Sequence, residues 1–148
     1  MKVRIKFSKE GPVKFVGHLD TMRYFQKAMR RADIDIAYSE GFSPHQIMSF
    51  AAPLGVGVTS DGEYLDIEVH STKSTRESIE ALNAVMVDGV EIVEYVALRQ
   101  NAAKAMSSVA AADYAVYFKK NDDFTREELE DNIASYYNGR SSIEVTKQ

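Results

Sequence analysis

The sequence predicts an α+β fold, a ferredoxin-like βαββαβ sandwich followed by a partial second βαβ unit. Three observations predict it. Val3, Ile5 and Phe7 alternate with Lys2, Arg4 and Lys6 at the two-residue period of a half-buried strand. Leu19, Met22, Phe25, Met29 and Ala32 recur at spacings of three and four, one face of a helix. After two further extended stretches, Ile79, Leu82, Val85 and Met86 repeat the helical spacing and Val90 to Leu98 reads as a closing strand. Two helices then cover one face of an antiparallel sheet.

Ser8 to Pro12 is a turn, and Val13 to Val16 a short extended return. The helix 18–32 carries Asp20 in its first turn and Arg30 and Arg31 in its last, both favoured by the helix dipole. Asp33 to Ser39 is expected as a second strand through Ile34, Ile36 and Tyr38, and Glu40 to His45 as a loop holding glycine and proline. Gln46 to Ala52 reads as extended, continuing through the glycine-punctuated run Pro53 to Val58. Thr59 to Glu63 is a turn, and Tyr64 to His70 a strand with Leu65, Ile67 and Val69 inward. Ser74 and Glu77 have the spacing of a capping box, and Asp88-Gly89 closes the second helix.

Residues 1–98 thus form the first domain. Residues 99–112, rich in Ala and Ser, read as a linker. The pattern restarts in 113–148: a strand at Tyr114 to Lys119, a helix opened by the Thr125-to-Glu128 capping box and stopped at Asn138-Gly139, and a strand begun at Ile143 to Val145. Such a partial unit leaves a sheet edge open, so it is expected to pack on the first domain or to dimerise, unless the chain is a truncated form of a longer one.

The chain of 148 residues has an ordinary globular composition, no apolar run of membrane-spanning length and an N-terminus without the apolar core of a signal peptide. Zero cysteines excludes disulfides, thiolate metal sites, a cysteine nucleophile and a cysteine-ligated iron–sulfur cluster. A cytoplasmic location is the simplest fit. The net charge of −4 hides an asymmetry: residues 1–31 hold nine Lys or Arg against Glu10 and Asp20. A basic segment on an acidic chain permits a local phosphate-binding patch.

That patch centres on the helix. Arg23, Lys27, Arg30 and Arg31 fall at i, i+4, i+7 and i+8, within roughly 100° of arc. Its bland reading is a solvated face; its functional reading is contact with a polyanion. Tyr24, Phe25, Tyr38 and Phe42 interleave with the cations, and such aromatics can stack single-stranded bases; Phe25 fits the core, and Tyr24 and Phe42 are the better stacking candidates. His18, Asp20, His45, Glu63 and His70 are the groups from which a chemical site could be assembled. His18 and Asp20, two apart on a helix, cannot share a face, and the others lie on separate elements, so neither a metal site nor a cofactor is assigned. His18 and His45 remain candidates for general acid–base work, with Asp20 beside the first. Gly55-Val56-Gly57 lacks the rest of a phosphate-loop pattern, and no nucleophile elbow is present.

Gly17-His18-Leu19-Asp20, Arg30-Arg31-Ala32, Ser39 to His45, Pro53 to Gly57 and Ser60 to Tyr64, in that order, resemble the radical-SAM-linked protein family. The resemblance is specific over residues 1 to about 70, and Ala111 to Tyr114 also fits it. That family is an uncharacterised bacterial domain fused to, or encoded beside, cobalamin-binding radical SAM proteins, often near RNA-related genes. This chain departs from it at Ser43, where Asn is common, and at Gln46-Ile47, where proline and a basic residue are common. The resemblance implies a radical SAM protein as partner and little about chemistry; the radical SAM three-cysteine motif is absent from this chain, which cannot hold that cluster itself.

The expectation is therefore a non-catalytic accessory module that binds RNA. Arg23, Lys27, Arg30 and Arg31 would contact phosphates, and Gly41, Phe42, Ser43, Pro44 and His45 would shape the pocket. The alternatives are a protein–protein module that docks the radical SAM partner, and an RNA-processing enzyme using His18 or His45.

Overall fold

The computed structural model describes residues 1–117 and 125–138. The chain divides into two compact units, 1–112 and 113–148.

The first unit has the expected βαββαβ order. Strand β1 spans Lys2–Lys9, helix α1 His18–Arg31, β2 Met48–Phe50, β3 Ser60–Glu68, helix α2 Thr75–Asn83 and β4 Val90–Ala97. The sheet order is β2-β3-β1-β4, with every neighbouring pair antiparallel, which is the ferredoxin-like arrangement. Alternation along β1 is strict: Val3, Ile5 and Phe7 are buried beneath both helices, together with Leu65 and Ile67 of β3, Val69 just after it and Ile92 of β4. Phe25 and Met29 come from α1 and Leu82 from α2. The Phe25 ring lies 4.7 Å from Phe7 and 5.6 Å from Phe50, so an aromatic triad fixes α1 to the sheet.

Both capping boxes form. Ser74 Oγ accepts from Glu77 N while the Glu77 carboxylate accepts from Ser74 N, which draws that carboxyl below its ordinary pKa through the hydrogen bonds to Ser74. At the end of α1, Asp33 takes a left-handed φ of 54° and Ile34 N donates to Met29 O at 3.0 Å. This is a Schellman closure with aspartate where glycine is usual. At Gly89 (φ 92°) an added Cβ would stand 2.6 Å from Glu10 O, and Glu10 N donates to Gly89 O at 2.8 Å. Only glycine allows that approach.

Several local expectations change. Gly11–Phe15 is a 3-10 helix, not an extended return, because Pro12 sits at its start and Val16 N closes onto Val13 O. The strand expected over 33–39 reduces to two isolated bridges, Ile36 to Val69 and Tyr38 to Gln46, since the Schellman turn takes up its beginning. The turn expected at 59–63 is absorbed into β3, whose Ser60 pairs with Lys9 at the far end of β1. The stretch 53–58 is irregular, with a turn at Val56-Gly57 rather than strand. Leu19 is 63% exposed and does not join the core. At 100° per residue it lies roughly 120° from Phe25, among the cations.

The open face of the sheet neutralises the basic side of β1. Lys2 pairs with Glu68 at 4.0 Å, Arg4 with Asp66 at 2.8 Å and Lys6 with Glu94 at 3.5 Å. The Arg4–Asp66 pair also holds the segment read as a linker. Arg4 Nη2 donates to Ala103 O, and Ala105 N donates to Asp66 Oδ2, at the start of a one-turn helix α3, Ala105–Ser108. Ala105 is buried there, within the first unit. Asp66→Ala removes a bidentate partner and a backbone acceptor together. Stability of the first unit is expected to fall by about 2–3 kcal/mol in urea unfolding, against less than ~0.5 kcal/mol for Glu68→Ala at the more exposed 4.0 Å pair.

In the second unit, helix α4 spans Arg126–Tyr137, opened by the Thr125–Glu128 capping box and braced by Arg126 to Glu130 at 2.7 Å. Residues 114–117 are not in a strand; 118–119, Gly139 and the strand expected at 143–145 lie outside the described residues. Among the described residues no helix is long and apolar enough to cross a membrane.

Candidate functional site

Helix α1 is the positioning element. Its buried face is set by Thr21, Phe25, Ala28 and Met29, which leaves Arg23, Lys27, Arg30 and Arg31 exposed. Arg23 pairs with Asp20 at 3.2 Å, the i,i+3 contact expected on a helix surface. Lys27, Arg30 and Arg31 have no acidic partner among the described residues. The cationic stripe is therefore three free charges and one shared charge. The other five basic groups of residues 1–31 differ: three are paired on the sheet, Lys9 is buried, and Lys14 lies over the Phe15 ring at 5.2 Å.

The loop Glu40 to His45 is the tip of a hairpin closed at Tyr38 and Gln46. Ser39 N donates to His45 O at 2.8 Å, His45 N donates to Ser39 Oγ at 3.1 Å, and His45 Nδ1 lies 2.8 Å from the same hydroxyl. Gly41 takes φ 110°, and Phe42 beyond it is fully exposed, with Ser43, Pro44 and His45 also exposed. A solvent-exposed phenylalanine on a closed turn is a large apolar surface held out from the fold. The hairpin is tied to the helix: buried Gln46 donates through Nε2 to Gln26 O of α1 at 3.2 Å and to Tyr38 Oη at 3.3 Å. Gln26 lies between Arg23 and Lys27 in sequence. The tether thus joins the two expected parts of the ligand surface, the cations and the loop.

The structure does not bring His18, Asp20 and His45 to one point. His18 lies edge-on to Phe50 at 5.2 Å, Asp20 pairs with Arg23, and His45 is held by Ser39. His70 is exposed, its N–H donating to Asp35 O. Among the described residues no group of three or more His, Asp or Glu side chains could hold a metal ion. Tyr24 is not free to stack a base. Its hydroxyl accepts from Val87 N at 2.7 Å and joins α1 to the segment between α2 and β4. Tyr38 is half exposed beside the hairpin and remains available.

Sequence reasoning missed Lys9. It occupies the inward register of β1 after Val3, Ile5 and Phe7, and is only 3% exposed. Its ammonium donates to Val16 O at 2.7 Å. With His18 and Glu63 it lines a cavity of about 10 Å³ under Phe50, the space of a single water. Burial lowers the Lys9 pKa below that of a free lysine, with Glu63 opposing the shift. Because the folded-state pKa is depressed, the unfolded chain binds the extra proton. The stability contributed is complete above the unfolded value, near 10.4, and is lost as pH falls through the folded value. Unfolding free energy is therefore expected to rise with pH on the alkaline side of neutrality. Lys9→Met should flatten that rise in urea titrations at successive pH values.

A family model described as an uncharacterised protein conserved in bacteria (DUF2344) matches residues 2–148. No curated protein matches the chain.

Proposed function

Because the chain belongs to DUF2344, a bacterial family with no assigned activity, we propose its role from its surface: a non-catalytic module that binds RNA. The single observation that carries this is the pairing on one helix of free Lys27, Arg30 and Arg31 with a tethered hairpin whose Phe42 is fully exposed. Cations take the phosphates and the exposed aromatics, Phe42 and Tyr38, take unstacked bases. Electrostatics favour this patch over the rest of the molecule, whose net charge is negative.

The partner in this reading is a radical SAM protein in the bacterial cytoplasm, to which the module delivers its RNA. The motifs at Gly17 to Asp20 and Ser39 to His45 support it through the family they resemble. A second reading, docking of that protein without RNA, is favoured by Phe15 and Leu19, both exposed near the start of α1.

The test is binding of transfer RNA and ribosomal RNA fragments at two salt concentrations. Each phosphate contact contributes about 0.7–0.9 to the slope of log affinity on log salt, so three to four contacts weaken binding by roughly 20- to 150-fold between 50 and 200 mM salt. Weak or salt-insensitive binding by the folded protein removes the RNA reading and leaves the docking one.

A further inference from the structure

A second cavity lies between the end of α1 and the start of α2, distinct from the basic stripe. Its volume is about 140 Å³, room for several waters and too small for a whole drug-sized ligand. Its lining mixes apolar surface from Ile34 and Tyr95 with acidic, basic and hydroxyl side chains. The acidic residues Asp33 and Asp35 line it from the segment after α1, and the basic residue Lys73 lines it from the segment before α2. Ser71 Oγ donates to Asp35 Oδ2 at 2.7 Å, leaving the second oxygen of that carboxylate open. Thr72 Oγ1 and Tyr95 Oη share one hydrogen bond of 3.0 Å, so one of the two hydroxyl protons stays unused.

Ser78 is the telling group. It lines the same cavity from the first turn of α2, is 1% exposed, and its hydroxyl has no hydrogen-bond partner among the described residues. Buried hydroxyls are almost always paired, and an orphan is tolerated where something else completes it. The ligand that fits must donate to two carboxylates and accept from an ammonium and from the unused hydroxyl protons. A phosphate is repelled by Asp33 and Asp35, and an ammonium group by Lys73. A neutral pair of adjacent hydroxyls satisfies every group.

We propose that this cavity binds the vicinal diol of a ribose. Asp33 and the open oxygen of Asp35 accept from the hydroxyls, Lys73 donates to a hydroxyl oxygen, and Ser78 completes the set from the floor. Asp33 directly follows Ala32 and the cations Arg30 and Arg31. The ribose at the 3′ end of a bound strand is therefore one source, and a free ribonucleoside the other. The first source rests on the RNA reading; the cavity itself does not.

The test is titration of the full chain with adenosine and with 2′-deoxyadenosine, followed by amide chemical shifts and calorimetry. Adenosine should shift the amides of Thr72, Lys73 and Ser78, and loss of the 2′-hydroxyl should weaken binding at least tenfold. Ser78→Ala should weaken adenosine binding to a similar extent while raising Tm by a few degrees, since it deletes an unpaired buried hydroxyl. A purely structural serine would move Tm without moving affinity. Asp35→Asn is the second variant, keeping shape while removing the charged acceptor, and should also weaken binding. The proposal is overturned if adenosine does not bind at millimolar concentration, if the two nucleosides bind equally, or if Ser78→Ala binds as wild type. Reversing charge at Lys27, Arg30 and Arg31 separates the two readings, because it should abolish RNA binding and leave adenosine binding intact. An oligoribonucleotide with a free 3′ diol that outcompetes its 3′-phosphorylated form identifies the strand end as the source. Equal binding of the two, with adenosine still bound, identifies the free nucleoside.

Discussion

Replacing Arg23, Lys27, Arg30 and Arg31 together with glutamate is expected to lower RNA affinity by at least 100-fold at 100 mM salt and to bring the salt slope close to zero, because each lost phosphate contact removes about 0.7–0.9 of it. All four side chains are exposed, so the fold should survive, and circular dichroism and Tm would confirm it. The four are not equivalent. Arg23 already shares its charge with Asp20 at 3.2 Å, whereas Lys27, Arg30 and Arg31 have no acid beside them among the described residues. Lys27→Glu alone should therefore cost more affinity than Arg23→Glu. Asp20→Asn, which frees Arg23, should strengthen binding. A flat response across these variants, measured by fluorescence anisotropy with a labelled RNA, would place the contact elsewhere on the molecule.

Phe25→Ala is expected to cost about 3–5 kcal/mol, a large share of the roughly 5–15 kcal/mol that holds a domain folded. The side chain is completely buried and touches both Phe7 and Phe50, so its loss opens a cavity where the helix meets the sheet. Tm of the first unit should drop by on the order of 15 °C in calorimetry. Leu19→Ala, only six residues earlier, should change stability by less than ~0.5 kcal/mol, because Leu19 stands in solvent among the cations. The contrast measures which face of α1 is the core. If Leu19→Ala proved as costly as Phe25→Ala, the helix would be rotated from the orientation seen here.

Those two residues also show what could be read from the chain and what could not. The strict alternation of β1, the apolar spacing of Phe25 and Met29, and the Ser74–Glu77 and Thr125–Glu128 boxes are local signals, and each element they mark is present. Leu19 was misplaced because steps of three residues drift by roughly 60° each, and two such steps carry a side chain off the buried face. Lys9 continues the inward register, yet its charge suggested a turn; only the full length of β1 against β3 and β4 shows that it must point inward. The segment 33–39 carries strand-forming residues, but its backbone partners are spent on closing α1 and on the hairpin, which is a tertiary decision. The candidate surface was legible as a list of cations and loop residues. Its coherence was not, because the Gln46-to-Gln26 tether joins residues 20 positions apart through a buried amide. Ser78, in the middle of an ordinary helix turn, carried no signal at all.

The sheet order bears on how the chain comes off the ribosome. β1 is an interior strand, yet both of its neighbours are encoded far downstream, the second beginning only at Val90. At synthesis rates of about 5–20 residues per second, roughly 4–16 s pass between completing β1 and reaching its last partner. During that interval Val3, Ile5 and Phe7 have no complete sheet to enter, and α1 has only part of its floor. Closure of the sheet is thus long-range and late, the regime in which folding is slow and a nascent chain is most open to chaperones.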